Sequence, residues 1–178
     1  MPQTLAQLFA SLDRRPDSPS LDELVKQLEA IEIDDDDVTP FARFSPRQYQ
    51  RNLMHQGPHY QALVLCWKNG QRSPIHDHRG SVCGVRIIKG TATETIFERA
   101  PNGHIRATFS RDLHVGQVCG SYDDDIHQVS NLQGDGADLI TLHVYSPPLL
   151  RMGTYSLTDT QVGEFIDPVF EFSHGAGI

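Results

Sequence analysis

Two histidines two residues apart, His76 and His78, are the first place where chemistry is legible in this chain. They lie in a stretch that reads as extended, so both rings leave the backbone on one face and can chelate one ion. Such a pair is weak evidence by itself, because strand alternation brings many pairs together. Of the nine histidines, His55, His59, His104, His114 and His174 stand in polar or Gly/Pro-containing surroundings and are expected as surface imidazoles.

The flanking residues sharpen the pair. Gly70 precedes His76 by a short spacer, His78 follows, and Gly90 closes the run after a strand that begins near Cys83. This pattern resembles the first motif of the cupin superfamily, with Cys83 standing where the motif normally has glutamate. A looser second motif has Gly116, His127 and Asn131 in place, while Tyr122 and Asp124 replace the usual proline and glycine. The resemblance implies three metal ligands, His76, His78 and His127. Three neutral imidazoles leave a divalent site near a net charge of about plus two, whereas a two-histidine, one-carboxylate set lowers it to about plus one. The remaining coordination positions then favour an anionic, soft donor such as a thiolate. Zinc is the competing metal, since three histidines and a water also make a hydrolytic zinc site.

Four separated segments resemble one family within the cupins, the cysteine dioxygenases: YQRNL (49–53), SPIHDHRGSVC (73–83), HQVSN (127–131) and TLHVYSPP (141–148). They occur in the family's order and cover roughly residues 45 to 155. The resemblance implies a β-barrel enzyme that binds Fe(2+), takes a small thiol and inserts both atoms of O2 at sulfur. It implies that Arg51 grips the substrate carboxylate and that Tyr49 and His143 surround the bound amino acid. Cys83 corresponds to the cysteine that some members cross-link to a tyrosine, and Tyr145 to that tyrosine.

Residue chemistry supports parts of this. His143 and Tyr145 are two apart on a strand, so they share a face, and an inward histidine and tyrosine must find polar partners. An arginine binds a carboxylate through two parallel hydrogen bonds, which fixes orientation as lysine cannot. Read without its neighbours, Arg51 would be a surface cation. Members of the family that prefer 3-mercaptopropionate commonly have glutamine at its position, so the arginine points to cysteine. Arg151, just after a Pro-Pro turn, is a second cation to consider for the carboxylate.

The elements that must position these groups follow from periodicity. Leu5, Leu8, Phe9 and Leu12 form one helical stripe, and Leu21, Leu24, Val25, Leu28 and Ile31 form another, opened by a Ser20–Glu23 capping box. Asp34 to Asp37 is expected as a solvated turn, because consecutive carboxylates do not converge on one ion. From about Tyr49 the period becomes two. Strands are expected at Tyr60 to Trp67, Val82 to Ile88, Thr91 to Phe97, Ile105 to Phe109, Gln117 to Tyr122 and Leu139 to Tyr145. The expected fold is mainly β, an antiparallel cupin-type barrel with short N-terminal helices. One domain is expected over 1–178: a helical segment (1–44), the barrel with the metal site (45–157) and a tail (158–178). In that tail Phe165, Ile166, Val169, Phe170 and Phe172 are expected to pack on the barrel.

Bulk properties exclude other classes. The 15 Lys and Arg against 23 Asp and Glu give a formal charge of -8, which disfavours nucleic acid and anionic membrane surfaces as partners. No leader-like start or membrane-length apolar run is evident, and three unpaired cysteines suit a reducing compartment. The expectation is a cytoplasmic enzyme, a monomer or weak homo-oligomer, that oxidises L-cysteine to cysteine sulfinic acid with Tyr145, Cys83 and His143 in the catalytic set. 3-Mercaptopropionate oxidation is the nearest alternative, followed by another metal-dependent cupin enzyme or a non-catalytic cupin.

Overall fold

Helical spacing near the start produces the elements it predicts. In the computed structural model, which describes residues 3–166, β1 (Gln3–Thr4) leads into α1 (Leu5–Asp13), followed by α2 (Leu21–Ala30), β2 (Ile31–Glu32), α3 (Asp35–Val38) and a 3-10 turn (Thr39–Phe41). Thr4 with Gln7, and Ser20 with Glu23, close capping boxes that satisfy the first amides of α1 and α2. Leu5, Leu8, Phe9 and Leu12 are buried on α1, and Leu21, Leu24 and Leu28 on α2. The acidic run is exposed as expected, but Asp35 onward forms a helical turn, whose entrance is tied by the Asp34 amide donating to the Asp37 carboxylate. Among the described residues no helix is long and apolar enough to cross a membrane.

The strands are β3 (Gln50–Gln56), β4 (Gln61–Trp67), β5 (Ile75–His76), β6 (Val82–Lys89), β7 (Thr91–Arg99), β8 (Ile105–His114), β9 (Val118–Ser121), β10 (Ile126–Ser130), β11 (Leu139–Ser146), β12 (Arg151–Tyr155) and β13 (Val162–Ile166). They form a six-stranded sheet in the order β13-β12-β5-β10-β7-β8 and a five-stranded sheet in the order β3-β4-β11-β6-β9. All pairings within these two sheets are antiparallel, as the mainly β reading expects. Strand β8 runs on to His114 rather than stopping near Phe109, because its register with β7 continues from Ile105 opposite Arg99 to His114 opposite Thr91. Its middle is exposed throughout, so no apolar alternation marked its true length.

One apolar cluster fills the space between the sheets, with Leu63, Leu65 and Trp67 from β4, Val85 and Ile87 from β6, Leu113 from β8, Val129 from β10 and Met152 from β12. The five-stranded sheet is also covered on its outer face. There Ala62, Leu142 and Val144 pack with Leu8, Phe9, Leu24 and Leu28 of the helices. Strand β4 is therefore buried at every position, and its sequence lacks the polar half of a period-two pattern. Two cross-strand partners, Gly84 and Gly120, let α2 approach this closely. A Cβ would lie 2.6 Å from Leu28 at Gly84 and 2.8 Å from Leu21 at Gly120.

The tail joins this scaffold through β13, which pairs with β12 and lays Phe165 against the inter-sheet cluster, whereas Ile166, expected to pack as well, is exposed because strand alternation turns it to the opposite face. Val169, Phe170 and Phe172 lie outside the described residues.

Candidate functional site

His76, His78 and His127 come together between the sheets, with one ligand-type atom from each lying within 4.8 Å of the others. His76 ends β5 and pairs directly with His127 of β10, so sheet register alone sets these two rings side by side. His78 gets there differently. It lies past the end of β5, held by its amide's 2.9 Å bond to the Asp123 carbonyl and followed by a turn in which Arg79 and Gly80 have φ of 40° and 91°. The shared face expected from strand alternation is thus supplied for His78 by a loop.

Each ring also has an outward partner that decides which nitrogen points in. His76 Nδ1 lies 2.9 Å from the Pro74 carbonyl, and His78 Nδ1 lies 3.3 Å from the Tyr122 carbonyl. A carbonyl only accepts, so both Nδ1 atoms carry the proton and both Nε2 lone pairs face the common centre. His127 Nδ1 lies 3.1 Å from Oε1 of Glu94, and its Nε2 lies 3.2 Å from Nε2 of His78. Outward-braced imidazoles with converging lone pairs are the donor arrangement of a divalent first-row metal site. Burial, with the neighbouring histidines adding to it, holds His76 well below the ordinary imidazole range and His78 down to about 3. Both are therefore neutral and ready to ligate at physiological pH.

The opposite wall comes from the five-stranded sheet. Arg51 of β3 is buried, and its Nη1 donates to the Tyr145 hydroxyl at 3.3 Å with the guanidinium 5.2 Å from the tyrosine ring. His143 Nδ1 is 3.1 Å from the same hydroxyl, and its Nε2 is 2.9 Å from the Thr141 hydroxyl, which accepts from the Trp67 indole at 3.0 Å. Cys83 is the register partner of Tyr145 across β6 and β11, with its Sγ 3.9 Å from His143 Nδ1. Burial pushes the Cys83 thiol and the Tyr145 phenol well above their usual ranges and pushes His143 well below its own, so all three are uncharged near neutrality.

The two walls meet at one cavity. It is lined by Tyr49, Arg51, Leu65, Trp67, Ser73, His76, His127, Val129, His143 and Tyr145, and the His78 ring lies 5.8 Å from that of Tyr145. Tyr49 stacks on Trp67 at 4.2 Å. An outer pocket that also uses Tyr49 and Arg51, together with Arg72, Pro74 and Phe165, gives the cavity a mouth.

All eight residues singled out in the sequence converge here, while Arg151 does not. It is exposed on β12 and paired with Glu164 at 3.5 Å on the surface. His55, expected as a surface residue, is half-buried, stacked on Phe9 at 4.7 Å and bonded to Asp13 at 3.1 Å, where it docks α1 on β3. Sequence reasoning missed Glu94 and Thr141. Glu94 sits in an alternating strand, where a charged residue reads as solvent-facing. Thr141 carried a usable signal, being two residues before His143 and so on the same face.

A family model described as cysteine dioxygenase type I matches residues 1–158, which extends the resemblance through the N-terminal helices. The cysteine dioxygenase type 1 of Homo sapiens is 33% identical over 155 residues, covering 83% of this chain and 76% of that protein. That of Danio rerio is 30% identical over 162 residues, covering 86% and 80%. Among solved structures, a protein from Thermus thermophilus superposes with a TM-score of 0.53 at 20% identity, covering 66% of this chain and 98% of that one. A Klebsiella pneumoniae protein with a double-stranded β-helix domain gives 0.51 at 17% identity, covering 72% and 87%. These two likenesses establish the cupin-type double-stranded β-helix fold. With the family matched from the N-terminal helices through β12, the chain belongs to the cysteine dioxygenase type I family.

Proposed function

We propose that this chain is an iron(II)-dependent thiol dioxygenase that converts L-cysteine and O2 to cysteine sulfinic acid. One observation carries the reading. Three inward Nε2 atoms on one wall face a buried arginine and a tyrosine hydroxyl on the other, across a narrow, largely enclosed cavity. Family membership supports the reaction type. His76, His78 and His127 would hold the iron. When bound there, iron(II) supplies coordination positions for a thiolate and O2 and the redox chemistry that joins them. Both oxygen atoms end on sulfur, so thiol plus O2 balances as sulfinic acid without an added reductant.

The chain's own residues do the rest. Arg51 binds the substrate carboxylate with charge-assisted hydrogen bonds, which turns the thiol end towards the histidines. Tyr145 remains a phenol and offers a hydroxyl proton into the cavity. The Trp67–Thr141–His143 hydrogen bonds fix its position. Leu65, Trp67 and Val129 keep the space apolar and exclude water. Tyr49 lines the carboxylate side.

Cys83 and Tyr145, facing each other across β6 and β11, are the pair we expect to form a thioether, each losing one hydrogen with O2 as the oxidant. Arg51, in the position where glutamine marks 3-mercaptopropionate enzymes, supports cysteine as the preferred thiol. Three free, buried cysteines and a charge of -8 support a cytoplasmic, monomeric or weakly self-associating enzyme that binds neither nucleic acid nor membrane. The test is O2 uptake by the iron-loaded protein with cysteine, 3-mercaptopropionate and cysteamine in parallel, with sulfinate identified by mass spectrometry. Cysteine should be fastest and cysteamine, lacking a carboxylate, slowest. Tight metal binding without O2 uptake would overturn the proposal.

A further inference from the structure

The three candidate ligands are not braced alike. His76 and His78 donate to main-chain carbonyls, whereas His127 donates to a carboxylate. That carboxylate, Glu94, is 1% exposed, although an unpaired buried carboxylate is strongly disfavoured. Its second oxygen, Oε2, accepts from Arg111 Nε at 2.8 Å and Nη2 at 2.7 Å, a two-pronged clamp from a side chain that is 42% exposed. Sheet register builds the line. Glu94 is the direct partner of Arg111 on β8, and on its other side it pairs with Val129, two residues from His127 on β10. The cupin motif's glutamate is absent at Cys83, and a carboxylate returns from β7, one residue removed from the ligand position.

We infer that Glu94 and Arg111 are a positioning pair for the metal centre, an inference that rests on reading His127 as a ligand. Glu94 fixes the tautomer and ring angle of His127 and makes it the strongest donor of the three imidazoles. Arg111 holds Glu94 in place and offsets its charge, so the centre gains a firmer ligand without losing the net positive charge that draws in a thiolate. A glutamate inside the coordination sphere would lower that charge. The same residue held outside it does not.

The test uses the full chain with cobalt(II) as the probe, following affinity by chelator competition and ligand field by the visible d–d absorption of the bound ion. Glu94→Leu removes both acceptor and charge and should weaken cobalt binding by about 10- to 100-fold. Glu94→Gln keeps an acceptor for the His127 Nδ1–H, so it should recover most of that affinity while still shifting the absorption bands. Arg111→Met leaves Glu94 unclamped and should also shift them. If Glu94→Leu does not fold, the other two variants decide, because each keeps a polar group at position 94. Wild-type affinity and unchanged bands in the folded variants, with only a lower melting temperature, would show an ordinary structural ion pair and overturn the inference. Failure of the wild-type protein itself to bind cobalt would instead remove the metal-site reading beneath it.

Discussion

The two walls of the cavity are built on different principles. The wall that carries His76 and His127 belongs to a sheet with solvent-facing strands, and its polar groups are braced outward, each imidazole donating to a carbonyl or carboxylate behind it. The wall that carries Arg51, Cys83, His143 and Tyr145 belongs to a sheet whose central strands β4 and β11 are buried on nearly all sides, and its polar groups are braced sideways on one another. Outward bracing leaves lone pairs inside, which suits a cation. Lateral bracing leaves N–H and O–H donors inside, which suits an anion. The asymmetry teaches how one cavity would suit the proposed metal on one side and the proposed substrate carboxylate on the other without a charged pair in contact between them.

Breaking the metal wall should have the largest effect. His127→Ala leaves two ligands, which water and chelators can strip, so bound metal after dialysis and O2 uptake should both be lost. Near-stoichiometric retention of metal would mean that this wall holds no cation.

Removing the backing of the other wall should cost stability instead. Leu24→Ala empties a fully buried position between α2 and the five-stranded sheet and should cost about 2–5 kcal/mol in denaturant unfolding, with kcat/KM of the folded enzyme close to wild type. An equal loss of activity would show that the helices do more than support the sheet.

On the opposite wall, Arg51→Ala would remove the proposed charge-assisted contact to the substrate carboxylate, worth about 1.5–3 kcal/mol, so kcat/KM for cysteine should fall by roughly ten- to a hundred-fold. Metal content should not change. Arg51→Gln should lose more activity towards cysteine than towards 3-mercaptopropionate, and equal losses would mean that Arg51 binds any carboxylate without choosing between thiols.

The smallest effect, read over a single pH unit, is on the metal-free protein's response to acid. His78, held to about 3 by burial and by His127, stays unprotonated in the folded chain, while histidines in the unfolded chain take up protons near ~6.5. Unfolded protein then binds more protons, so stability is full above that value and falls as the pH is lowered from about 6.5 towards 3, by up to about 1.4 kcal/mol per pH unit for each such histidine. Denaturant midpoints of the metal-free protein at neutral pH and at lower pH measure this, and a metal-loaded sample should resist the change. A midpoint that does not move between the two would contradict the neutral, buried state of His78.

Much of this was legible in the chain itself. Local patterns report on local structure, so the Ser20 cap, the two apolar helical stripes and the alternating strands follow from side-chain geometry along a helix or strand. Short motifs around His76, Cys83, His127 and Tyr145 were enough to indicate which residues share a site, because one chemistry needs those types in that order. What they could not contain was anything set by partners distant in sequence. The docking of α2 on Gly84 and Gly120, the loop that swings His78 into line, the exclusion of Arg151 and the burial of Glu94 each depend on which strands become neighbours. Sheet register brings Glu94 and His127 together across 33 residues of chain, and register is decided by the packing of the whole barrel and by no local preference. The sequence by itself therefore determined the ligand types and the class of chemistry, whereas only the tertiary structure decided which way each ring nitrogen faces and what holds it there.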